Sequence, residues 1–338
     1  MENPVIELIG LTKFYGSLKA VDNLNLAINK GEVYGLLGPN GAGKTTTILM
    51  MLGLTEPSEG KVMVCGHNAT SQPVAVKQKV GYMPDNIGFY DGMDALDNLV
   101  YIARLNGIPE SKVRERSVEM MEMVGLSDVM HKKAGAYSRG MKQRLGLAEV
   151  LIKQPEVIIL DEPTLGIDPA GVRDFLSFIR QLSRQHNITV LLSSHHLNQV
   201  QEVCDRVGIF VEGRLLASDH IDRLSSHLFS HDNYMVTIVL AHPPDDPQYY
   251  IAELRKMDGV MNTSISGSTV EISCTRNATP EFVRFFVEKG LDIMGVHRKE
   301  YGLEEIYHRY FENSLTEKAS NGKSSSLFQR SFFKKIKK

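Results

Sequence analysis

The feature that most constrains the fold is a glycine-rich loop set between an apolar run and a helical pattern. Residues 38–45 read GPNGAGKT, which matches the phosphate-loop pattern G-x-x-x-x-G-K-[ST]. Gly38 follows the apolar run VYGLL, and TTTILMMLGL continues after Lys44 as a helix would. Gly41 and Gly43 allow backbone N–H groups to face a phosphate, and the positive end of the following helix favours the same anion. The loop therefore predicts an α/β fold with a nucleotide site.

Two side chains of this loop fit the chemistry of a nucleoside triphosphate. The ammonium group of Lys44 is a point charge suited to the β- and γ-phosphates. The hydroxyl group of Thr45 is a ligand of the kind that Mg²⁺ takes beside these phosphates. The loop therefore predicts ATP and Mg²⁺ as cofactors.

Two further apolar runs end in polar residues that could act on a bound phosphate. The segment 157–163 reads VIILDEP, so that Asp161 and Glu162 end a buried strand. Asp161 is placed for Mg²⁺, directly or through water, and Glu162 for orienting or deprotonating an attacking water. The segment 191–200 reads LLSSHHLNQV and places either His195 or His196 at the end of a third strand. These side chains are predicted to meet at one edge of a parallel sheet.

The 338 residues are long for one domain, and the pattern changes along the chain. Short β-rich runs alternate with helical patterns, which predicts an α/β domain with a mainly helical insert. A polar Ser/His stretch then marks a linker, and the chain ends in a lysine-rich tail that has no acidic residue from Lys318 onward. The predicted parts are an ATP-binding domain over 1–225 with the insert at about 88–136, a linker over 226–233, an accessory α+β domain over 234–312 and a disordered tail over 313–338.

The accessory domain has a readable order of elements. A strand, a helix, two strands, a helix and a strand succeed one another, and a last helix GLEEIYHRYFEN follows. The order βαββαβ is typical of a ferredoxin-like fold. We therefore predict a small ferredoxin-like α+β domain after the nucleotide-binding domain.

Composition excludes several other classes of protein. The formal net charge is −2, which does not favour binding of nucleic acid. The three cysteines lie far apart in the sequence and form no CxxC pair, so that neither a disulfide framework nor a zinc site is supported and a reducing compartment fits best. No signal-peptide pattern opens the chain, and no apolar run approaches 18 residues, so that we expect no membrane span in this chain.

Six motifs in a characteristic order resemble the ATP-binding subunit of ABC transporters, over residues 1 to about 220. Besides the phosphate loop and the DE pair, the segment YSRGMKQRL (137–145, the signature segment) resembles the LSGGQ signature of the family, and LGIDP (165–169) resembles the loop after the catalytic base. The family spacing favours His195 over His196 as the switch histidine. The resemblance implies a P-loop ATPase core of ABC type.

The resemblance also implies roles for individual residues. Glu162 and His195 would be catalytic, and Thr45, Asp85 and Asp161 would hold Mg²⁺. Asp168 would touch a partner subunit, Tyr15 would stack on adenine, and Ser138 and Gly140 would face the γ-phosphate of a second subunit. The ATP-binding residues expected in this way are Tyr15, Gly38, Asn40, Gly41, Gly43, Lys44, Thr45, Thr46, Ser138, Gly140 and Asp168.

The sequence departs from the family pattern at two places. In the signature segment, Arg139 replaces a glycine and Met141 replaces the glutamine. We expect Arg139 to add a cation near the partner's nucleotide or to point into solvent, with function retained because Ser138 and Gly140 remain. In GYMPDN (81–86), Asp85 occupies the lid position where the family usually has glutamine. It is expected to touch Mg²⁺ only when the lid is closed, or through a water.

The family resemblance implies partners and a location. Two copies would form a head-to-tail homodimer around two Mg-ATP, and a separate transmembrane permease would hold this dimer at the cytoplasmic face of the membrane. The accessory domain resembles that of type-2 exporters, whose ATPases serve drug or antibiotic export, and GYMPDNIGFY resembles ATPases of nitrous-oxide-reductase maturation. For the basic tail, a solubilising end and a foothold on anionic lipid are both open.

Other classes of function fit the sequence less well. The main alternative is a non-transport ABC ATPase acting on a soluble macromolecular complex, but neither a long coiled coil nor a second set of motifs is present. A P-loop kinase or GTPase would give no reason for the signature segment just before the LDE strand. A regulatory binder that never hydrolyses ATP is disfavoured by Glu162 and His195.

Overall fold

The computed structural model describes residues 4–228, 234–298, 303–307, 309 and 310. The predicted tail over 313–338 and residues 229–233 of the predicted linker lie outside the described residues. The chain divides into two compact units, of which the first is built on residues up to Ile221 and the second on Asp222–Ile306. Tyr307, within the predicted last helix, is grouped with the first unit.

The first unit contains ten strands and seven α-helices among the described residues. The strands are β1 (Ile6–Tyr15), β2 (Leu18–Ile28), β3 (Val33–Leu37), β4 (Glu59–Val64), β5 (His67–Asn68), β6 (Val80–Met83), β7 (Val157–Asp161), β8 (Thr189–Ser194), β9 (Arg206–Val211) and β10 (Arg214–Asp219). The helices are α1 (Lys44–Met51), α2 (Pro73–Lys79), α3 (Ala95–Leu105), α4 (Glu110–Met123), α5 (Arg139–Leu151), α6 (Pro169–His186) and α7 (Leu197–Val203).

These strands form two sheets. One is antiparallel with the order β2-β1-β4-β5, and the other has six strands in the order β10-β9-β3-β8-β7-β6. In the six-stranded sheet β9, β3, β8, β7 and β6 are mutually parallel, and β10 runs antiparallel to β9. A core of apolar side chains from both sheets and from α1 lies in this unit.

The three strands expected to carry chemistry are confirmed as buried parallel strands. Every residue of β3, β7 and β8 is buried, as a near-continuous apolar run predicts for strands covered on both faces. β8 lies between β3 and β7 and pairs with both. Because parallel strands end at the same edge of a sheet, the segments that follow these three strands meet there.

The segment 88–136, predicted as a helical insert, is mainly helical. It contains α3, α4 and two short 3₁₀ turns at Ser127–Val129 and Ala134–Ala136. The carboxylate of Asp94 caps α3 by accepting from the Asp97 N–H at 2.6 Å. Asn98 ties the start of α3 to the preceding loop, because its amide group donates to the Tyr90 carbonyl and accepts from the Tyr90 N–H.

The second unit begins within helix α8 (Ile221–Leu228), which continues into the predicted linker. Residues 226–228 of the predicted linker are therefore helical. The polar Ser/His composition hid an apolar stripe, because Ile221, Leu224 and Leu228 recur at helical spacing.

The rest of the second unit contains β11 (Tyr234–Leu240), α9 (Pro247–Leu254), β12 (Val260–Ser266), β13 (Thr269–Cys274), α10 (Thr279–Glu288) and β14 (Ile293–Arg298). The four strands form an antiparallel sheet with the order β12-β13-β11-β14. Its core contains every second residue of β11 and β13, which share one face of the sheet, and the side chains of Phe282 and Phe286 from α10. Beyond the sheet, residues 303–307 are helical.

In the part of the chain that the structure describes, no helix combines the length and the apolar character needed to cross a bilayer. The three cysteines, all within the described residues, are free thiols.

Candidate nucleotide and catalytic site

The phosphate loop lies between β3 and α1, where the sequence placed it. A Cβ atom at Gly38 would lie 2.1 Å from the Phe210 carbonyl oxygen, and one at Gly43 would lie 2.4 Å from the Ala20 carbonyl oxygen. Gly41 and Gly43 have φ angles of 82° and 103°, in the left-handed region that favours glycine. Close packing and backbone conformation together therefore explain the glycines of this loop.

Lys44 is the first residue of α1, and its side chain folds back over the loop. Its ammonium group donates to the carbonyl oxygens of Gly38 at 2.7 Å and Pro39 at 3.2 Å. It also lies 3.6 Å from Glu162 Oε1. Burial lowers the pKa of the Lys44 ammonium, while the nearby carboxylates oppose this change. The ammonium group of Lys44 is thus held at the N-terminus of α1 and close to the carboxylates.

Thr45 and Asp161 are in direct contact, although 116 residues separate them in the sequence. The Thr45 hydroxyl donates to Asp161 Oδ2 at 2.8 Å. Burial raises the pKa of Asp161, and the hydrogen bond from Thr45 opposes that rise. The end of β7 therefore lies against the first turn of α1, as a shared metal site would need.

Glu162 follows β7 in an unusual backbone conformation. Its φ angle of 48° is in the left-handed region, which is uncommon for a residue with a side chain. Its N–H donates to the Ser193 carbonyl of β8 at 3.0 Å, which anchors the turn. The backbone strain is of the kind that is retained where a side chain must point in one direction.

His195 follows β8 and contacts the carboxylate of Glu162. The distance from His195 Nδ1 to Glu162 Oε1 is 2.9 Å. The ring of His196 lies next to it, with the two ring centroids 4.0 Å apart. Burial, followed by the neighbouring His195, lowers the pKa of His196. Of the two histidines considered from the sequence, His195 makes the contact with the carboxylate.

The oxygen atoms of this cluster suit a divalent cation. Asp161 Oδ1 and Glu162 Oε2 are buried and have no hydrogen-bond partner among the described residues. Mg²⁺ takes oxygen ligands and is usually held by one or two carboxylates together with substrate phosphates. The residues therefore fit Mg²⁺ beside a nucleotide, whereas the described chain holds no group of three or more His, Cys, Asp or Glu side chains able to bind a metal by themselves.

Asp85 lies on the exposed loop after β6, on the far side of β7 from β3. Its charge still reaches the site. Burial raises the pKa of Tyr82 to about 12, and the charges of Asp161 and Asp85 add to this rise. Asp85 thus acts electrostatically on the same region as Asp161, and within the described part of the chain no hydrogen bond of its side chain joins it to the cluster.

The signature segment leads into helix α5. Ser138 caps α5 by accepting from the Met141 N–H at 3.3 Å, and Gly140 lies in the first turn. Arg139, expected to add a cation near the partner's nucleotide or to point into solvent, is exposed and also makes a contact within its own chain. Its Nε donates to the Leu165 carbonyl oxygen at 2.8 Å, in the loop that follows Glu162 of the same chain.

The remaining predicted residues lie at the edges of this region. Asp168 is the N-cap of α6, and its carboxylate accepts from the Gly171 N–H at 3.0 Å, which lowers its pKa. Tyr15 ends β1 in the other sheet and is 48% exposed, with Lys13 Nζ 5.1 Å from its ring centroid. Asn40 is exposed at the tip of the phosphate loop, and Thr46 is half-buried in α1.

One contact at this site was missed from the sequence. The hydroxyl group of Thr164 donates to Gln199 Oε1 at 2.5 Å, which joins the loop after Glu162 to helix α7 after His195. A polar side chain four residues beyond His195, at one helical turn, is the signal that could have indicated it.

A phosphate loop after β3, a carboxylate pair at the end of β7 and a histidine after β8, the strand between them, define a P-loop nucleoside triphosphatase. The model of the ABC transporter family matches residues 21–165. The bacitracin transport ATP-binding protein BcrA of Bacillus licheniformis is 35% identical over 311 residues, which cover 90% of this chain and 96% of that protein. The chain therefore belongs to the ATP-binding proteins of ABC transporters, and it is an ATP-binding, ATP-hydrolysing subunit.

Solved structures agree with this assignment. CbiO1 of Clostridium perfringens, part of the ABC transporter complex cbiONQ, is 26% identical with a TM-score of 0.61, covering 68% of this chain and 92% of that one. The ATP-binding cassette MJ0796, described as dimeric in a post-hydrolysis state with ADP and Pi, is 23% identical with a TM-score of 0.58, covering 64% of this chain and 98% of that one. The second likeness shows the fold.

Proposed function

We propose that two copies of this chain close around two Mg-ATP and drive a separate transmembrane permease, with export as the direction of transport. The observation that carries the proposal is the cluster in which Glu162 Oε1 lies 2.9 Å from His195 Nδ1 and 3.6 Å from Lys44 Nζ. A carboxylate between a phosphate-binding cation and an imidazole is placed to orient and deprotonate a water that attacks the γ-phosphate.

The residues proposed to hold Mg²⁺ are Thr45 and Asp161, with Asp85 near enough to bias the charge of the site. The partnerless Asp161 Oδ1 and the hydroxyl group of Thr45 support this assignment. When bound, Mg²⁺ would neutralise charge on the phosphate oxygens. The residues of the chain then have separate tasks: Lys44 binds phosphate, Glu162 takes a proton from water, and His195 holds Glu162 and reaches the γ-phosphate.

The second copy would supply its signature segment. Ser138 and Gly140 open α5, a helix of 13 residues whose N-terminus favours an anion. Asp168 and the exposed Asn40 and Tyr15 are the further residues proposed to meet nucleotide or partner. The dimeric description of a cassette with this fold supports the arrangement.

Antibiotic export is the proposed class of transport. The match to BcrA is longer than the first unit, so that it extends into the second one. For the second unit we assign the ferredoxin-like fold, supported by the order βαββαβ and by the sheet order β12-β13-β11-β14. The proposed location is the cytoplasmic face of the membrane, by way of the permease.

The dimer is tested with Glu162→Gln, which keeps the shape of the side chain and removes the base. With Mg-ATP the variant is expected to elute as a dimer and to release little phosphate, whereas the wild-type protein turns ATP over. Glu156→Gln is the matched control, because Glu156 is exposed just before β7 and pairs with Lys79. A Glu162→Gln protein that stays monomeric in the presence of Mg-ATP would contradict the proposed dimer around two Mg-ATP.

A tail contact with anionic lipid is proposed separately. The tail carries seven lysine and arginine residues from Lys318 onward, each worth about 1 kcal/mol near an anionic surface. Removal of 318–338 is expected to lower binding to vesicles containing phosphatidylserine at low salt. Equal binding by the truncated and the full chain would argue against the contact.

A further inference from the structure

Arg139 stands where the family pattern has glycine, and its side chain is committed to its own chain. Its Nε donates to the Leu165 carbonyl oxygen at 2.8 Å, so that the first residue of α5 is tied to the loop after β7. We infer that Arg139 is a positioning residue: it holds the loop 162–168 (the catalytic loop) and thereby the carboxylate of Glu162. The inference rests on the role proposed above for Glu162.

The backbone of Gly166 lies close to the side chain of Arg139. Gly166 has a φ angle of 76°, and a Cβ atom there would lie 3.1 Å from Arg139 Nε and 3.3 Å from Arg139 Cδ. Both the backbone conformation and the space therefore favour glycine at 166. The side chain of Arg139 packs directly against the backbone of Gly166. Arg139 therefore contributes a packing contact as well as a hydrogen bond to this loop.

Within the catalytic loop, two short-range backbone hydrogen bonds close successive turns. The Leu165 N–H donates to the Glu162 carbonyl at 3.2 Å, and the Ile167 N–H donates to the Thr164 carbonyl at 3.2 Å. The first of these bonds connects Leu165 directly to Glu162, whose backbone is in the left-handed region, so that a displacement of Leu165 is expected to reach Glu162.

Two further contacts join the catalytic loop to helices α6 and α7. Thr164 bonds Gln199 of α7, and Asp168 caps α6. Arg139 is thus the tie from α5, next to Ser138 and Gly140. Since these two residues are proposed to meet the nucleotide of the second copy, Arg139 couples the signature segment to the base of the same chain.

A positioning role predicts a change in turnover at unchanged ATP affinity. Arg139→Ala is expected to lower kcat roughly tenfold, with the KM for ATP within about twofold, because a small misplacement of a catalytic group is costly in rate. Arg139→Gly, which restores the family residue, is expected to show the same loss. Guanidinium ion at millimolar concentration is expected to recover part of the kcat of Arg139→Ala, which a change in overall stability would not allow.

The matched control is Arg180→Ala. Arg180 is also exposed and also donates to a backbone carbonyl of another element, that of Glu202 at 3.2 Å. It is expected to keep wild-type kcat and to show no response to guanidinium. Should Arg139→Ala fold poorly, Arg139→Gln keeps the stem and an N–H donor, and it is expected to lie between wild type and Arg139→Ala.

Hydrogen exchange without nucleotide separates this inference from the proposed function. Faster exchange of the Leu165 and Ile167 amides in Arg139→Ala is expected whether or not the protein dimerises around ATP. Unchanged exchange of these amides, or a raised KM at unchanged kcat, would overturn the inference, and the second result would make Arg139 a nucleotide contact. Failure of Glu162→Gln to dimerise would bear on the proposed function alone.

Discussion

His195 Nδ1 lies 2.9 Å from Glu162 Oε1, which joins the ends of two neighbouring parallel strands by one side-chain contact. Glu162 follows β7 and His195 follows β8, and the backbones are also joined by the bond from the Glu162 N–H to the Ser193 carbonyl. The histidine therefore fixes the direction of the carboxylate, and the next residue along, His196, does not make this contact.

His195→Ala is expected to lower kcat by about 100-fold, because the carboxylate loses its orienting partner and the phosphate loses a donor. The KM for ATP is expected to change little, since Lys44 and the phosphate loop remain. Steady-state phosphate release gives both constants. His196→Ala is the control, and a loss in His196→Ala equal to that in His195→Ala would contradict the assignment.

Lys44→Ala is expected to weaken ATP binding by at least about 100-fold, which corresponds to ~2.7 kcal/mol. The variant loses the cation, and the phosphate loop loses the bonds to the Gly38 and Pro39 carbonyls. Titration with a fluorescent ATP analogue measures the affinity. Lys79→Ala removes a half-buried lysine that pairs with Glu156, and it is expected to bind ATP as the wild type does. Retained binding by Lys44→Ala would exclude the phosphate-loop assignment.

Asp85→Gln is expected to raise the Mg²⁺ concentration for half-maximal ATPase activity by about fivefold, the equivalent of ~1 kcal/mol between separated charges. The carboxylate acts on the same region as Asp161, as the effect of both charges on the pKa of Tyr82 shows. Asp91→Asn removes another exposed acid of this loop and serves as the control. An unchanged Mg²⁺ dependence would leave Asp85 a turn residue and make Asn86 the next candidate.

Stability is expected to depend on pH through Glu149 in α5. Burial raises the pKa of this carboxyl group from its ordinary value of 4.5 to about 7. A raised pKa in the folded protein means that the contribution to stability is complete below about pH 4.5 and is lost as the pH rises to about 7, by about 3 kcal/mol.

Glu149→Gln removes this titration. The variant is expected to be more stable than the wild type at pH 8 and to show a flatter stability profile between pH 5 and pH 8, measured by urea unfolding. Glu122→Gln changes an exposed glutamate of α4 and is expected to keep the wild-type profile. Parallel profiles of Glu149→Gln and the wild type would show that Glu149 does not titrate in this range.

Much of the fold was readable from the chain because its signals are local. The apolar runs at 33–38, 157–160 and 189–194 are the buried parallel strands that the sequence predicts. Residues 226–228, which fall in the predicted linker, continue helix α8, because Ile221, Leu224 and Leu228 recur at helical spacing among polar residues. Helical periodicity over so short a stretch is a weaker signal than composition, and the polar Ser/His composition favoured a linker.

The sequence by itself determined the phosphate loop, the carboxylates at 161 and 162, and the choice of α/β class, since each follows from residue types at short fixed spacing. Only the tertiary structure decided that His195 contacts Glu162, that Gln199 holds Thr164, and that Arg139 ties α5 to Leu165. These contacts join residues 26 to 35 positions apart. Their partners are set by how neighbouring strands and helices pack, which short-range spacing does not specify.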